Sequence, residues 1–262
     1  MIKERLDLLV VERRLVESRT KAQWLILNGH VLVNGIEIRK PGKKIDNSQK
    51  IQLKQDFPYV GRGGLKLEAA LKKFKISVNK KICADIGASI GGFTDCLLKN
   101  GALRVYAIDN AIDLLHPSLR CEKMQGRVIP LLGIDARKLN SLDEDMELIT
   151  IDITFASLKS IIPNVRHFLI PSGDVIVLVK PIFETDFYNE KKFTVILDKD
   201  KLRNILLEFI GWSKKNGYFP YGIMKSPLLR KGGSIEFLIW FRVDTCAINY
   251  NYKDDITEIL KD

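Results

Sequence analysis

The chain has 262 residues, more than one average domain of about 100–150 residues, so a large domain with a small companion is the natural expectation. With 46% hydrophobic and 28% charged residues it has ordinary globular composition, and it contains no run of about 18 apolar residues and no apolar leader core behind Met1-Ile2-Lys3-Glu4-Arg5. These features predict a cytoplasmic protein without stable membrane association. The net charge of +10 is unevenly spread: residues 1–81 hold 19 Lys/Arg against 8 Asp/Glu, residues 82–262 hold 23 against 24. The positive excess lies in the first third and points to a polyanionic partner there, a solvated basic face being the plainer alternative.

The chain opens with two short helical patterns. Leu6, Leu8, Leu9 and Leu15 suggest one apolar face, and Ser18 reads as the N-cap of a helix from Arg19 to Asn28 that stops at Gly29. Asn34-Gly35 between apolar runs predicts a tight hairpin, because both positions tolerate positive φ. A short strand follows at Lys50-Ile51-Gln52-Leu53, and cations recur along the unit. The helix–helix–hairpin order, with S-R-T-K-A and V-L-V-N-G, resembles the RNA-binding domain named after ribosomal protein S-four. The resemblance implies an α+β module over residues 1–57 whose RNA footprint includes Arg5, Arg14, Arg19 and Lys21.

Residues 58–64, rich in glycine, read as a joint, with Arg62 as a further RNA contact. The next helix carries Lys66 in its first turn, where a cation opposes the helix dipole, a mild misfit that marks a residue placed for chemistry.

A buried strand then enters a glycine turn and a helix: Asp85-Ile86-Gly87-Ala88-Ser89-Ile90-Gly91-Gly92-Phe93-Thr94. Glycines let backbone approach a ligand, and the helix start offers free N–H groups. The spacing is G-x-x-x-G-G, and Asp85 precedes it by two residues; a carboxylate beside the loop suits a cationic, amino-acid-like ligand such as S-adenosylmethionine better than a dinucleotide. Asp109 ends the next strand, positioned for ribose hydroxyls, and Asp135 follows a third strand, positioned for an adenine amino group. The fold expected is a mostly parallel, seven-stranded Rossmann-like α/β sheet with helices on both faces, over residues 65–247, followed by a polar, frayed tail at 248–262.

Two later strands end in Asp152 and Lys180, and Glu236 opens another. The prolines of an amino-group methylation loop are absent after Asp152, and so is a cysteine nucleophile. The quartet Lys66, Asp152, Lys180 and Glu236, with Y-V-G-R-G-G-L-K-L, D-I-G-A-S-I-G-G-F-T-D-C and L-V-K-P-I-F-E, resembles the FtsJ-like ribose methyltransferases. With the first module it is similar to the TlyA family, whose members are described both as haemolysins and as cytidine 2′-O-methyltransferases of ribosomal RNA. Gly61 and Ile90 depart from that pattern. The resemblance implies ribosomal RNA or ribosomal subunits as partner. Lys180 is the expected base, since apolar surroundings and the Lys66 cation both favour its neutral amine. Asp152 and Glu236 are expected to orient the lysines and the hydroxyl.

His30, His116 and His167 are isolated, and the four cysteines form no C-x-x-C pair, so no metal site is expected. Phe183, Phe187 and Tyr188 after Lys180 either stack a splayed base or anchor a loop. The rival readings are a membrane-acting haemolysin and a non-catalytic RNA-binding protein. Nothing in the sequence demands more than a monomer.

Overall fold

A computed structural model describes residues 3–185, 195–229, 233–243 and 250–261. The chain folds as two units, Met1–Pro58 and Tyr59–Asp262.

The first unit contains β1 (Lys3–Arg5), α1 (Leu6–Glu12), α2 (Arg19–Leu27), β2 (Val31–Val33), β3 (Ile36–Glu37), β4 (Lys44–Asp46) and β5 (Ile51–Leu53). Ser18 caps α2 by accepting from the Lys21 amide at 3.3 Å. Asn34 (φ 49°) and Gly35 (φ 81°) turn the β2–β3 hairpin, as a turn with two left-handed residues requires. The core gathers Leu6, Leu9, Val10, Leu25, Ile26, Val31 and Ile51. Leu8, expected on the apolar face, is exposed; the i, i+3, i+4 set Leu6, Leu9 and Val10 turns inward instead. The β1–β4 pair was not legible, because five of its six residues are charged.

The second unit runs α3 (Gly63–Phe74), β6 (Ile82–Ile86), α4 (Gly92–Lys99), β7 (Arg104–Asp109), α5 (Pro117–Arg120), β8 (Val128–Leu132), β9 (Met146–Ile151), α6 (Ile162–Val165), β10 (Leu169–Val179), α7 (Lys199–Lys215), β11 (Phe219–Lys225), β12 (Phe237–Arg242) and α8 (Tyr252–Ile259). One seven-stranded sheet has the order β11-β12-β10-β9-β6-β7-β8. Its pairs are parallel except those of β12, which runs antiparallel to both β10 and β11. Side chains alternate across the sheet: Phe237, Ile239 and Phe241 join a core with Leu202, Leu206 and Phe209 of α7, while Trp240 meets Phe74 of α3 at 6.0 Å between ring centroids. The sheet is therefore covered on both faces. Strand order reverses between β6 and β9, which opens a crevice beyond their carboxyl ends.

Two expectations need correction. Residues 59–64 are not a free joint: Tyr59 and Gly61 are buried, and the Val60 amide donates to Asp95 Oδ2 at 2.9 Å. Residues 250–261 of the expected tail are not frayed. Ile256 and Leu260, one helical turn apart, bury one side of α8 and its end in the core, and the Tyr250 hydroxyl accepts from the Ile223 amide at 3.1 Å. A few aliphatic residues spaced through a polar stretch are a weak periodic signal, yet a waiting surface is enough to fold them. Phe187, Tyr188 and Cys246 lie outside the described residues.

Candidate active site

The glycine turn takes its shape from close backbone approach. Gly87 has φ 83°, and a Cβ there would stand 2.3 Å from the Asp152 carbonyl oxygen, so the β6 loop and the β9 loop touch through a residue without a side chain. Gly91, at φ 92°, forms the N-cap of α4. Asp85 corrects the expectation placed on it. It is fully buried and accepts from the Thr94 amide at 2.9 Å and the Thr94 hydroxyl at 2.7 Å, with Thr150 Oγ1 at 3.2 Å on its other oxygen. Burial pushes its carboxyl up to about 7, against the Thr94 bonds. Asp85 and Thr94 therefore tie the end of β6 to the start of α4 beneath the loop and line neither cleft described next, and Gly91 lines neither as well.

Two clefts meet at this loop. One, of about 510 Å³, is lined by Ser89, Asp109, Asn110, Leu114, Ile134, Asp135, Ile153 and Phe155 among others. The other, of about 290 Å³, is lined by Arg62, Lys66, Ala88, Gly92, Phe93 and Leu229 among others. Gly87, Ser89 and Asp152 border both. Asp109 accepts from the Ser89 amide at 2.6 Å and the Ala111 amide at 2.8 Å, which aims its carboxylate across the larger cleft. Asp135 is tied to Arg137, whose guanidinium reaches both its oxygens at 2.7–3.1 Å and whose side-chain and backbone bonds hold the carboxyl down at about 2. An adenine contact by Asp135 would have to share it with Arg137.

The four residues expected to do chemistry converge at the carboxyl edge of the sheet. Asp152 follows β9, Lys180 follows β10, and Glu236 precedes β12; antiparallel pairing of Val179 with Phe237 brings the last two alongside. Lys66 comes from α3. They form two ion pairs, Lys180 with Asp152 at 2.5 Å and Lys66 with Glu236. Lys180 Nζ also donates to the Ile153 carbonyl at 2.7 Å and Thr154 Oγ1 at 2.9 Å, so each of its three ammonium protons meets an oxygen. This corrects the expected surroundings of Lys180, which are polar at its head, while Lys66 is neutralised by Glu236. Glu236 is 1% exposed, and its Oε1 has no partner among the described residues. A buried acceptor without a donor is costly, so this oxygen is open to a donor from outside the described residues.

The sequence missed part of this arrangement. Glu184, one turn after Lys180, accepts from Ser157 Oγ at 2.6 Å and the Leu158 amide at 2.8 Å. It thus ties the segment after β10 to the loop that supplies all three acceptors of Lys180. Burial pushes its carboxyl up, against those two bonds. The only sequence signal was its place in L-V-K-P-I-F-E. Phe183 is buried and meets Phe155 at 5.8 Å between centroids, which favours its role as a loop anchor.

In the first unit, Arg5 and Arg19 both bind buried Asp7, and Arg14 is exposed at φ 56°. Lys21 is largely buried, paired with Glu17 and over the Phe57 ring at 5.4 Å; its ammonium is committed internally. Arg62 begins α3 and lines the smaller cleft.

A covered, mainly parallel sheet with a glycine loop, a strand-end acid and four convergent charged residues matches a known family. Residues 59–243 fit FtsJ-like methyltransferases. The chain belongs to that family. Residues 4–51 match the S4 domain. This FtsJ-like methyltransferase is 42% identical over 241 residues to YqxC of Bacillus subtilis, provisionally named an rRNA methyltransferase, covering 90% of this chain and 85% of that one. It is 32% identical over 245 residues to the 16S/23S rRNA (cytidine-2′-O)-methyltransferase TlyA of Mycobacterium tuberculosis, covering 92% and 90%. A solved Streptococcus thermophilus structure with a provisional hemolysin name has a TM-score of 0.73 and 34% identity, covering 100% of this chain and 95% of that one. The FtsJ-like methyltransferase takes its methyl group from S-adenosylmethionine. The larger cleft is compatible with that molecule: it lies within the usual range of roughly 300–1,000 Å³ and is lined by the apolar Leu114 and Ile134 and by the Asp109 carboxylate. Among the described residues no helix is long and apolar enough to cross a membrane.

Proposed function

We propose that this FtsJ-like methyltransferase methylates a ribose 2′-hydroxyl, on cytidine, in cytoplasmic ribosomal RNA or ribosomal subunits, acting as a monomer. The observation that carries the reading is the convergence of Lys66, Asp152, Lys180 and Glu236 beside the cleft bordered by the glycine loop. The names of the relatives supply the nucleic acid and the nucleoside.

The bound S-adenosylmethionine supplies an activated methyl group, so the protein needs chiefly to position a hydroxyl and accept its proton. Asp109 holds the ribose side of the larger cleft, while Gly87, Ala88, Ser89 and Gly92 line the turn between the clefts. Asp152 borders both clefts and orients Lys180. Lys180 takes the hydroxyl proton after releasing one of its own three ammonium protons to solvent. As a neutral amine it keeps two of its three oxygen partners and turns its lone pair toward the substrate. Lys66 lines the smaller cleft and keeps buried Glu236 from standing as a lone charge.

The test is transfer of tritiated methyl groups from S-adenosylmethionine to ribosomal subunits from a strain lacking this gene, followed by nucleoside mass spectrometry. A 2′-O-methylcytidine product is expected. A base-methylated product would overturn the ribose assignment, and no transfer to subunits or naked RNA with cofactor binding intact would favour the non-catalytic RNA-binding reading.

A further inference from the structure

Asp7 is an unusual residue for a surface expected to attract a polyanion. It sits on α1 with 0% exposure, and its backbone is fixed as well, the amide donating to the Pro41 carbonyl at 3.0 Å. Four donors converge on its carboxylate: Arg5 Nε at 2.9 Å and Nη2 at 3.0 Å, Arg19 Nε at 2.8 Å, and Gln23 Nε2 at 2.7 Å. Burial by itself would push this carboxyl up; the bonds from Arg5, Gln23 and Arg19 outweigh it and hold the group well below the usual range. The acid is therefore a permanent anion at neutral pH.

The two cations differ from the acid in exposure. Their side chains are 43% and 52% exposed. Arg5 Nη2 and Arg19 Nε both reach the same oxygen, Oδ2, so the guanidinium groups are held side by side. No acceptor among the described residues takes Arg5 Nη1 or either Nη of Arg19. Two like charges in this position repel, and one carboxylate offsets only one of them. The triad carries a net charge of one, with planar donors left over on its exposed side. A singly charged anion with several acceptor oxygens completes both the charge and the hydrogen bonding, and a phosphodiester is such an anion.

We propose that Asp7 is the positioning residue of a phosphodiester site, in which the buried carboxylate holds Arg5 and Arg19 as one preorganised double fork. The site deepens the RNA reading above and rests on it. A free surface arginine loses side-chain entropy when it grips a phosphate; an arginine already anchored through Nε has lost much of it beforehand. The same geometry separates these two arginines from Lys21, whose ammonium is already paired with Glu17.

The inference predicts a sign that simple electrostatics does not. Asp7→Asn keeps the side-chain shape and raises the net charge by one, so long-range attraction alone would strengthen RNA binding. Loss of the anchor should weaken it. The experiment measures binding of the full chain to ribosomal RNA extracted from isolated subunits, across a series of salt concentrations, with S-adenosylmethionine binding as the control in the second unit. Asp7→Asn is expected to bind RNA roughly tenfold more weakly at fixed salt, with cofactor affinity unchanged. Arg5→Lys and Arg19→Lys keep the charge but lose the fork, and each is expected to weaken binding by about threefold or more. They carry the test if Asp7→Asn disturbs folding of the first unit. RNA binding by Asp7→Asn as tight as wild type or tighter, or full affinity in both lysine variants, overturns the inference alone. Absence of salt-dependent RNA binding by the unaltered protein overturns the RNA reading, and this inference with it.

Discussion

Both units bury carboxylates against cations, and they use the pairing differently. In the first unit Asp7 is enclosed while its arginines stay about half exposed, so the acid anchors cations that face outward. In the second unit the lysines are enclosed too: Lys66 is 13% exposed against 1% for Glu236, and Lys180 7% against 24% for Asp152. There the cations point into the protein, and the more open partner of the Lys180 pair is the acid at the cleft. An outward cation held from behind is equipped to grip a ligand. An inward lysine surrounded by acceptors is equipped to hold or move a proton, at the cost of depending on every neighbour.

The largest effect that sharpens this contrast is expected at Lys180. Lys180→Ala should lower methyl transfer by about a thousandfold, within the range of a lost acid–base group, while cofactor affinity changes little. Single-turnover transfer with a separate cofactor titration measures both. Near-normal turnover would remove Lys180 from the proton path.

The next effect is on stability. Lys66→Ala leaves Glu236 as a buried, unpaired charge and should cost about 3 kcal/mol, read from urea denaturation. The double variant Lys66→Met, Glu236→Leu should recover most of that loss without recovering methyl transfer. If transfer returns with stability, the pair is scaffolding and the contrast between the units fails.

Glu184 should have a smaller, kinetic effect. Glu184→Gln is expected to lower kcat by roughly tenfold through looser placement of the Asp152–Thr154 segment. Because burial raises its carboxyl, the wild-type brace weakens as pH falls and Glu184 gains its proton. The acid side of the kcat profile should therefore be flatter in the variant. Superimposable profiles would show that Glu184 only packs the loop.

The smallest effect concerns Asp85. Its folded-state value of about 7 lies above the usual 3.8, so between those values the native state binds the extra proton. Stability from this group is fully present at the acid end, falls as pH rises through that window, and levels off above about 7. Asp85→Asn should lack this slope, so urea midpoints of wild type and variant should diverge steadily between pH 4 and pH 7. Parallel curves would mean that Thr94 and Thr150 keep the carboxylate ionised in the core.

Local rules made much of the molecule legible. Ser18 and Asn34-Gly35 wrote their cap and turn into the sequence because each acts within three residues. The glycine loop was legible because positive φ and close backbone approach limit which residue fits. Tertiary context overruled local pattern elsewhere. Leu8 lost its expected place to Val10, and the polar C-terminal stretch became α8 because the core offered Ile256 and Leu260 a surface.

The sequence by itself determined which residue types reach the carboxyl edge of the sheet. Strand lengths and alternation put Asp109, Asp152 and Lys180 at strand ends, and the family motifs single out Lys66 and Glu236. Only the tertiary structure decided how those charges pair. It set Lys180 among Asp152, the Ile153 carbonyl and Thr154, gave Lys66 to Glu236, enclosed Asp85 behind Thr94, and placed Glu184 as a brace. The physical reason is range. Caps and turns are settled within a few residues, whereas an ion pair and the burial of a carboxyl depend on groups that lie far apart in the chain and meet only when the sheet has formed.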